Sequence, residues 1–113
     1  MNRYLLTKAG INPNEGIHRL GGKIEIYEKL LNNFLEDEHY GQLIDAIEKK
    51  DVEAAFQASH ALKGITGNLS MNDLYEALVP LVEDFRAGSM EHVDEFLPAV
   101  KEKYNLIVEA LSK

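Results

Sequence analysis

DVEAAFQASHALKGITGNLS, Asp51 to Ser70, decides the fold. Asp51 is a good N-cap, and the residues from Val52 to about Leu69 form one long helical segment. On a helical wheel of about 100° per residue, Ala55, Ala58, Leu62, Ile65 and Leu69 make a single apolar stripe. Two features do not serve that stripe. Gly64 and Gly67 each cost up to about 1 kcal/mol relative to alanine in a helix. His60 falls roughly 180° from the centre of the stripe, so it faces water or a partner.

Other residues share the His60 face. Lys63 and Gly64 follow at i+3 and i+4, and both are surface neighbours of His60. Gly67 lies one turn beyond, and Phe56 and Gln57 lie one turn before. The glycines offer bare backbone beside His60, where a bulky group can approach closely. Gly67 serves equally well to loosen the helix near its end. Phe56 either docks a partner or packs on a neighbouring helix, and Gln57 either lines a docking surface or is solvated. An exposed imidazole is a nucleophile in its neutral form. Lys63 adds a mobile ammonium suited to a phosphoryl group. The arrangement suggests a phosphoryl acceptor. General base catalysis is disfavoured, because a convex helix surface forms no pocket that excludes water.

Helical periodicity extends outward in both directions, and no period-two alternation marks a strand. Asn12, Pro13 and Glu15 open a short helix that Gly21-Gly22 stops. Ile24, Tyr27, Leu31 and Phe34 stripe a segment from about Lys23 to Asp37. Tyr40, Leu43, Ile44 and Ile47 stripe a shorter one. Ser70 and Asp73 have capping-box spacing before a helix carrying Leu74, Leu78, Leu81, Val82 and Phe85. Ser89 is the expected cap of a last helix striped by Val93, Leu97, Val100, Tyr104, Ile107 and Leu111. Pro80 and Pro98 fall inside these helices, but the stripes stay in phase through both, so kinked helices are expected. Short loops make neighbours antiparallel. The expected fold is all-α, an up-and-down antiparallel four-helix bundle with a short extra N-terminal helix, and residues 1–113 form a single domain.

Composition narrows the function. The chain has 113 residues, a net charge of −7 and no cysteine. Disulfides, thiolate metal sites and cysteine nucleophiles are excluded. The acidic balance, with no basic cluster, argues against nucleic acid and anionic membranes as partners. No signal peptide and no membrane span are read in the sequence, which makes a cytoplasmic chain the expectation. His18, His39 and His92 read as ordinary surface or loop residues. "EDEHY" reads as a solvated turn, so no metal site is expected.

His60-Ala61-Leu62-Lys63-Gly64, followed by Gly67-Asn68-Leu69-Ser70, resembles the signature of the histidine-containing phosphotransfer (HPt) domain. The likeness spans about Ile11 to Gly88, and the last helix matches only in its pattern. Ser70 stands where the family often has glycine. The resemblance implies a phosphorelay carrier that is not an enzyme. His60 would accept a phosphoryl group at Nε2 from a receiver-domain aspartate and pass it to another receiver. Lys63 would offset charge, Gly64 would give clearance, and Phe56, Gln57 and Gly67 would form the docking surface. The catalytic aspartates and Mg2+ would come from the receiver, so no cofactor of this chain is expected. Implied partners are response-regulator receivers and a hybrid sensor histidine kinase, met by a monomer through a transient contact. The alternative is a bundle that binds receivers as a scaffold without being phosphorylated.

Overall fold

The computed structural model describes residues 1–113. It is all-helical, with seven helices: α1 (Arg3–Lys8), α2 (Pro13–Arg19), α3 (Ile24–Phe34), α4 (His39–Glu48), α5 (Val52–Asn68), α6 (Asn72–Arg86) and α7 (Val93–Leu111). The four-helix bundle is present, but its first arm is broken in two. The Tyr27 hydroxyl of α3 reaches the Leu69 carbonyl at one end of α5. The following helix α4 packs along α5 and ends at the Asp51 turn, at the other end. Tyr104 of α7 covers the break. Its ring stacks on Tyr40 at 3.6 Å and lies 5.9 Å from Phe34. The helices α5, α6 and α7 supply the other three arms, each packed on its sequence neighbour.

The apolar stripes of α3 and α6 are buried as their periodicity requires: Tyr27, Leu31 and Phe34 on the first, and Leu74, Leu78, Leu81, Val82 and Phe85 on the second. Both Pro80 and Pro98 lie inside continuous helices. The inward face of α5 is rotated from the sequence stripe. Ser59 and Thr66 join Ala55, Ala58 and Leu62 in the interior, while Ile65 is only half-buried. Each hydroxyl is satisfied within the helix. Ser59 Oγ donates to the Phe56 carbonyl at 3.1 Å and Thr66 Oγ1 to the Lys63 carbonyl at 2.9 Å. A small polar side chain can therefore sit in the core without an orphaned group.

Helix ends explain two departures from the sequence reading. In α5 the Met71 amide bonds the Thr66 carbonyl at 2.9 Å and the Ser70 amide bonds Gly67 at 3.3 Å, with Ser70 left-handed at φ +55°. This is a Schellman ending, so Ser70 terminates α5 and does not cap α6. Met71 precedes α6 with no side-chain cap. The same ending closes α4 at Lys50, φ +57°, and α6 at Gly88, φ +78°. Ser89 likewise does not cap α7. Its Oγ accepts from the Glu91 amide within the connecting turn, and His92 stands at the cap position.

The N-terminus holds two short helices where one was expected. Asn2 caps α1 through the Leu5 amide, and Asn12 caps α2 through Glu15. Both close the end of the bundle around the α5–α6 junction. The Asn12 amide donates to the Ser70 carbonyl at 2.8 Å and the Asp73 amide to Gly10 at 3.1 Å. Arg19 Nη2 donates to Ser70 Oγ at 3.0 Å. The two chain ends also meet here, where Met1, Leu6, Glu28, Leu31, Leu111 and Lys113 line one cleft. No helix is long and apolar enough to cross a membrane.

Candidate functional site

The small interior face of α5 leaves its opposite face to solvent, midway along the bundle. His60 is exposed there, and its ring stacks on Phe56, with centroids 5.5 Å apart and planes 14° from parallel. The i, i+4 spacing places the two rings one above the other. Phe56 is half-buried and carries a second partner, the Arg86 guanidinium of α6, 5.0 Å from its centroid. Phe56 therefore packs on a neighbouring helix and borders His60 at the same time. Glu83 holds Arg86 from below, at 3.4 Å.

The histidines differ in their partners. Nδ1 of His39 lies 3.0 Å from Asp37, and Nδ1 of His92 lies 3.0 Å from Asp84. Hydrogen bonding to Asp84 raises the His92 pKa above its ordinary value, and the same bond lowers Asp84. These two pairings were not expected from sequence, which read both histidines as plain surface residues. His60 has no carboxylate against it. Two Glu-x-x-His spacings exist, Glu15–His18 and Glu36–His39, but no group of three His, Asp or Glu side chains converges as metal ligands would.

The two glycines of α5 behave differently. A Cβ built on Gly64 meets no atom within 4 Å, so open space lies beside the His60 ring. A Cβ on Gly67 would lie 3.2 Å and 3.4 Å from Cε2 and Cδ2 of Tyr75. Open clearance is therefore a property of Gly64 alone, and the space at Gly67 is taken by an α6 side chain. Lys63 is half-buried, and its Nζ sits 5.7 Å from the Tyr75 ring centroid. Gln57 is exposed on the other flank, in a groove between α4 and α5 that also contains His39, Gln42, Asp45 and Lys49.

Thus α5 brings Phe56, Gln57, His60, Lys63 and Gly64 onto one exposed surface. Sequence reasoning missed Tyr75 and Arg86, which reach that surface from α6. Antiparallel packing of α5 on α6 was the available signal, since it pairs the start of one helix with the end of the other.

A convex, exposed imidazole with a free cation nearby suits group transfer with a partner that brings its own active site. The comparisons bear on which partner. A family model described as Hpt domain matches residues 29–111, from within α3 to the end of α7. It includes the last helix, which the sequence resemblance matched only in pattern. Neither the curated proteins nor the solved structures gave a match. With most of its length matched and the bundle in place, the chain belongs to the Hpt domain family, the phosphocarriers that perform histidine phosphotransfer in phosphorelays and interact with receiver domains.

Proposed function

We propose that His60 is the phosphoryl acceptor and donor of this chain. The Nε2 lone pair attacks the phosphorus of a receiver's aspartyl phosphate. A P–N bond forms as the P–O bond to the aspartate breaks, the carboxylate leaves, and the imidazole proton stays on Nδ1. The reverse displacement, by the aspartate of a second receiver, returns the imidazole. The receiver supplies its acidic residues and Mg2+, and this chain supplies a nucleophile in the correct place. The observation that carries the reading is the exposed His60 ring beside the open space at Gly64, with Lys63 one turn on and unpaired with any carboxylate.

Lys63 offsets the charge of the phosphoryl group through a charge-assisted hydrogen bond. Phe56 and Gln57 form the docking rim, and Gly67 contributes to it only through the seat it gives Tyr75. The donor is a receiver domain, in the fuller scheme that of a hybrid sensor kinase, and the chain acts in the cytoplasm as a monomer.

Incubation with a phosphorylated receiver and Mg2+ tests the reading. The expected product is an acid-labile, base-stable phosphoryl group that is absent from His60→Gln. Label persisting in His60→Gln refutes the assignment. Receiver binding without label supports the scaffold alternative.

A further inference from the structure

We infer that Tyr75 is a positioning residue for Lys63: its ring is a resting place that keeps the ammonium free of carboxylates, one helical turn from His60, until a phosphoryl group arrives. The inference deepens the phosphoacceptor reading and rests on it.

Three observations converge. Lys63 Nζ lies over the Tyr75 ring at 5.7 Å. The ring is seated against bare backbone at Gly67, four residues after Lys63, where a Cβ would crowd Cε2 to 3.2 Å. Tyr75 is in the first turn of α6, its amide bonded to the Met71 carbonyl at 2.9 Å directly after the Ser70 junction. The height of the ring along α5 is therefore fixed by the same turn that ends α5. Gly67 and Tyr75 together build a shelf one turn long.

The neighbouring charges explain why the shelf is aromatic. Asp73 lies 4.0 Å from Lys103, and Glu83 is taken by Arg86. Lys49, Lys103 and Lys113 have carboxylate partners, whereas Lys63, like Lys8 over Tyr4 at the N-terminus, has a ring, and of these two only Lys63 stands one turn from His60. A carboxylate would neutralise the ammonium and repel an incoming dianion. A ring face attracts the cation through its quadrupole and adds no net charge, and the attraction is weak at an exposed site. A phosphoryl group on His60 offers stronger, charge-assisted hydrogen bonds, so the ammonium leaves the ring for the phosphoryl oxygens. The Tyr75 hydroxyl is not needed for any of this.

The test uses the full chain and three substitutions. In the unphosphorylated parent, the Lys63 side-chain protons should show an upfield ring-current shift by NMR. That shift should persist in Tyr75→Phe and vanish in Tyr75→Leu, which keeps an apolar group on Gly67 but no ring. Tyr75→Leu releases the ammonium to pair with a surface carboxylate, and should slow phosphohistidine formation by up to about fivefold, the range an exposed ion pair supports. Tyr75→Phe should restore the parent behaviour, and Tyr75→Leu should have no further effect in a Lys63→Ala background. An equal loss in both backgrounds, or no rescue by phenylalanine, overturns the inference and makes Tyr75 merely structural. A missing ring-current shift in the parent overturns the placement itself. Absence of phosphohistidine on the parent overturns instead the reading of His60, and is distinguishable because the NMR experiment needs no phosphoryl group.

Discussion

Replacing Tyr27 with phenylalanine should destabilise the domain at neutral pH and change its response to alkali. The Tyr27 ring is fully buried, and its hydroxyl donates to the Leu69 carbonyl at 2.6 Å, across the end of α5. Gly16 lies so close that a Cβ there would overlap the Tyr27 ring, so the site has no slack for a water to replace the hydroxyl. Removal leaves a buried carbonyl without its donor, at a cost of about 1–3 kcal/mol. The second effect is titration. Burial, reinforced by the charge of Glu15 and partly opposed by Arg19, raises the Tyr27 pKa from 10.0 to about 12. A folded-state value above the unfolded one means the stabilisation is complete below about pH 10. It is lost as pH rises towards about 12, reaching on the order of 2–3 kcal/mol. Burial also raises Tyr40 and Tyr104, so Tyr27→Phe will still lose stability in alkali, though less steeply. Urea unfolding followed by circular dichroism, repeated from about pH 7 to about pH 12, measures both effects. The parent should be the more stable at neutral pH, and the gap should close in alkali. Equal stability at neutral pH, or a gap that does not change with pH, refutes the reasoning.

Gly64→Ala should raise stability by up to about 1 kcal/mol, since alanine favours the helix and nothing stands within 4 Å of the new methyl. The same variant should slow phosphotransfer; a faster or unchanged rate in a receiver assay refutes the clearance role. Lys50→Gly should raise the melting temperature by relieving a left-handed lysine at φ +57°, a gain of about 1 kcal/mol at an exposed position. An unchanged or lower melting temperature counts against strain there. The Asp84–His92 pair should stabilise the α6–α7 turn most at mildly acidic pH. Its His92 part is present below the ordinary histidine pKa and lost as pH rises through the raised folded value. Its Asp84 part is lost as pH falls through the lowered one. Asp84→Asn should flatten that profile in thermal melts, and an unaltered profile refutes the pairing.

The sequence was most readable where one helix settles its own burial. The stripes through Tyr27, Leu31 and Phe34, and through Leu74 to Phe85, needed only a period of 3.6. His60 could be placed on an outward face for the same reason. Positions where two structures share one spacing were harder. Ser70 and Asp73 satisfy a capping box, yet the chain uses Ser70 to end the preceding helix, because Asn12 and Arg19 hold it from far away in sequence. Ser59 and Thr66 read as polar, and only their bonds to carbonyls of their own helix make them core residues. Helix α1, with Asn2 as its cap, is too short for periodicity to reveal. Tyr75 and Arg86 belong to the surface around His60 through tertiary packing alone, which no wheel drawn on α5 can show.

The meeting of the two chain ends bears on how the domain can be joined to other proteins. Met1 and Lys113 share a cleft at the end of the bundle closed by α1, while His60 sits midway along the exposed flank of α5. A short bridge between the ends would turn the chain into a ring that can be reopened at another surface turn, such as Ala87–Ser89, with the order of packed helices unchanged. Fusion at either terminus likewise attaches cargo at that one pole, and the exposed face around His60 stays clear of it.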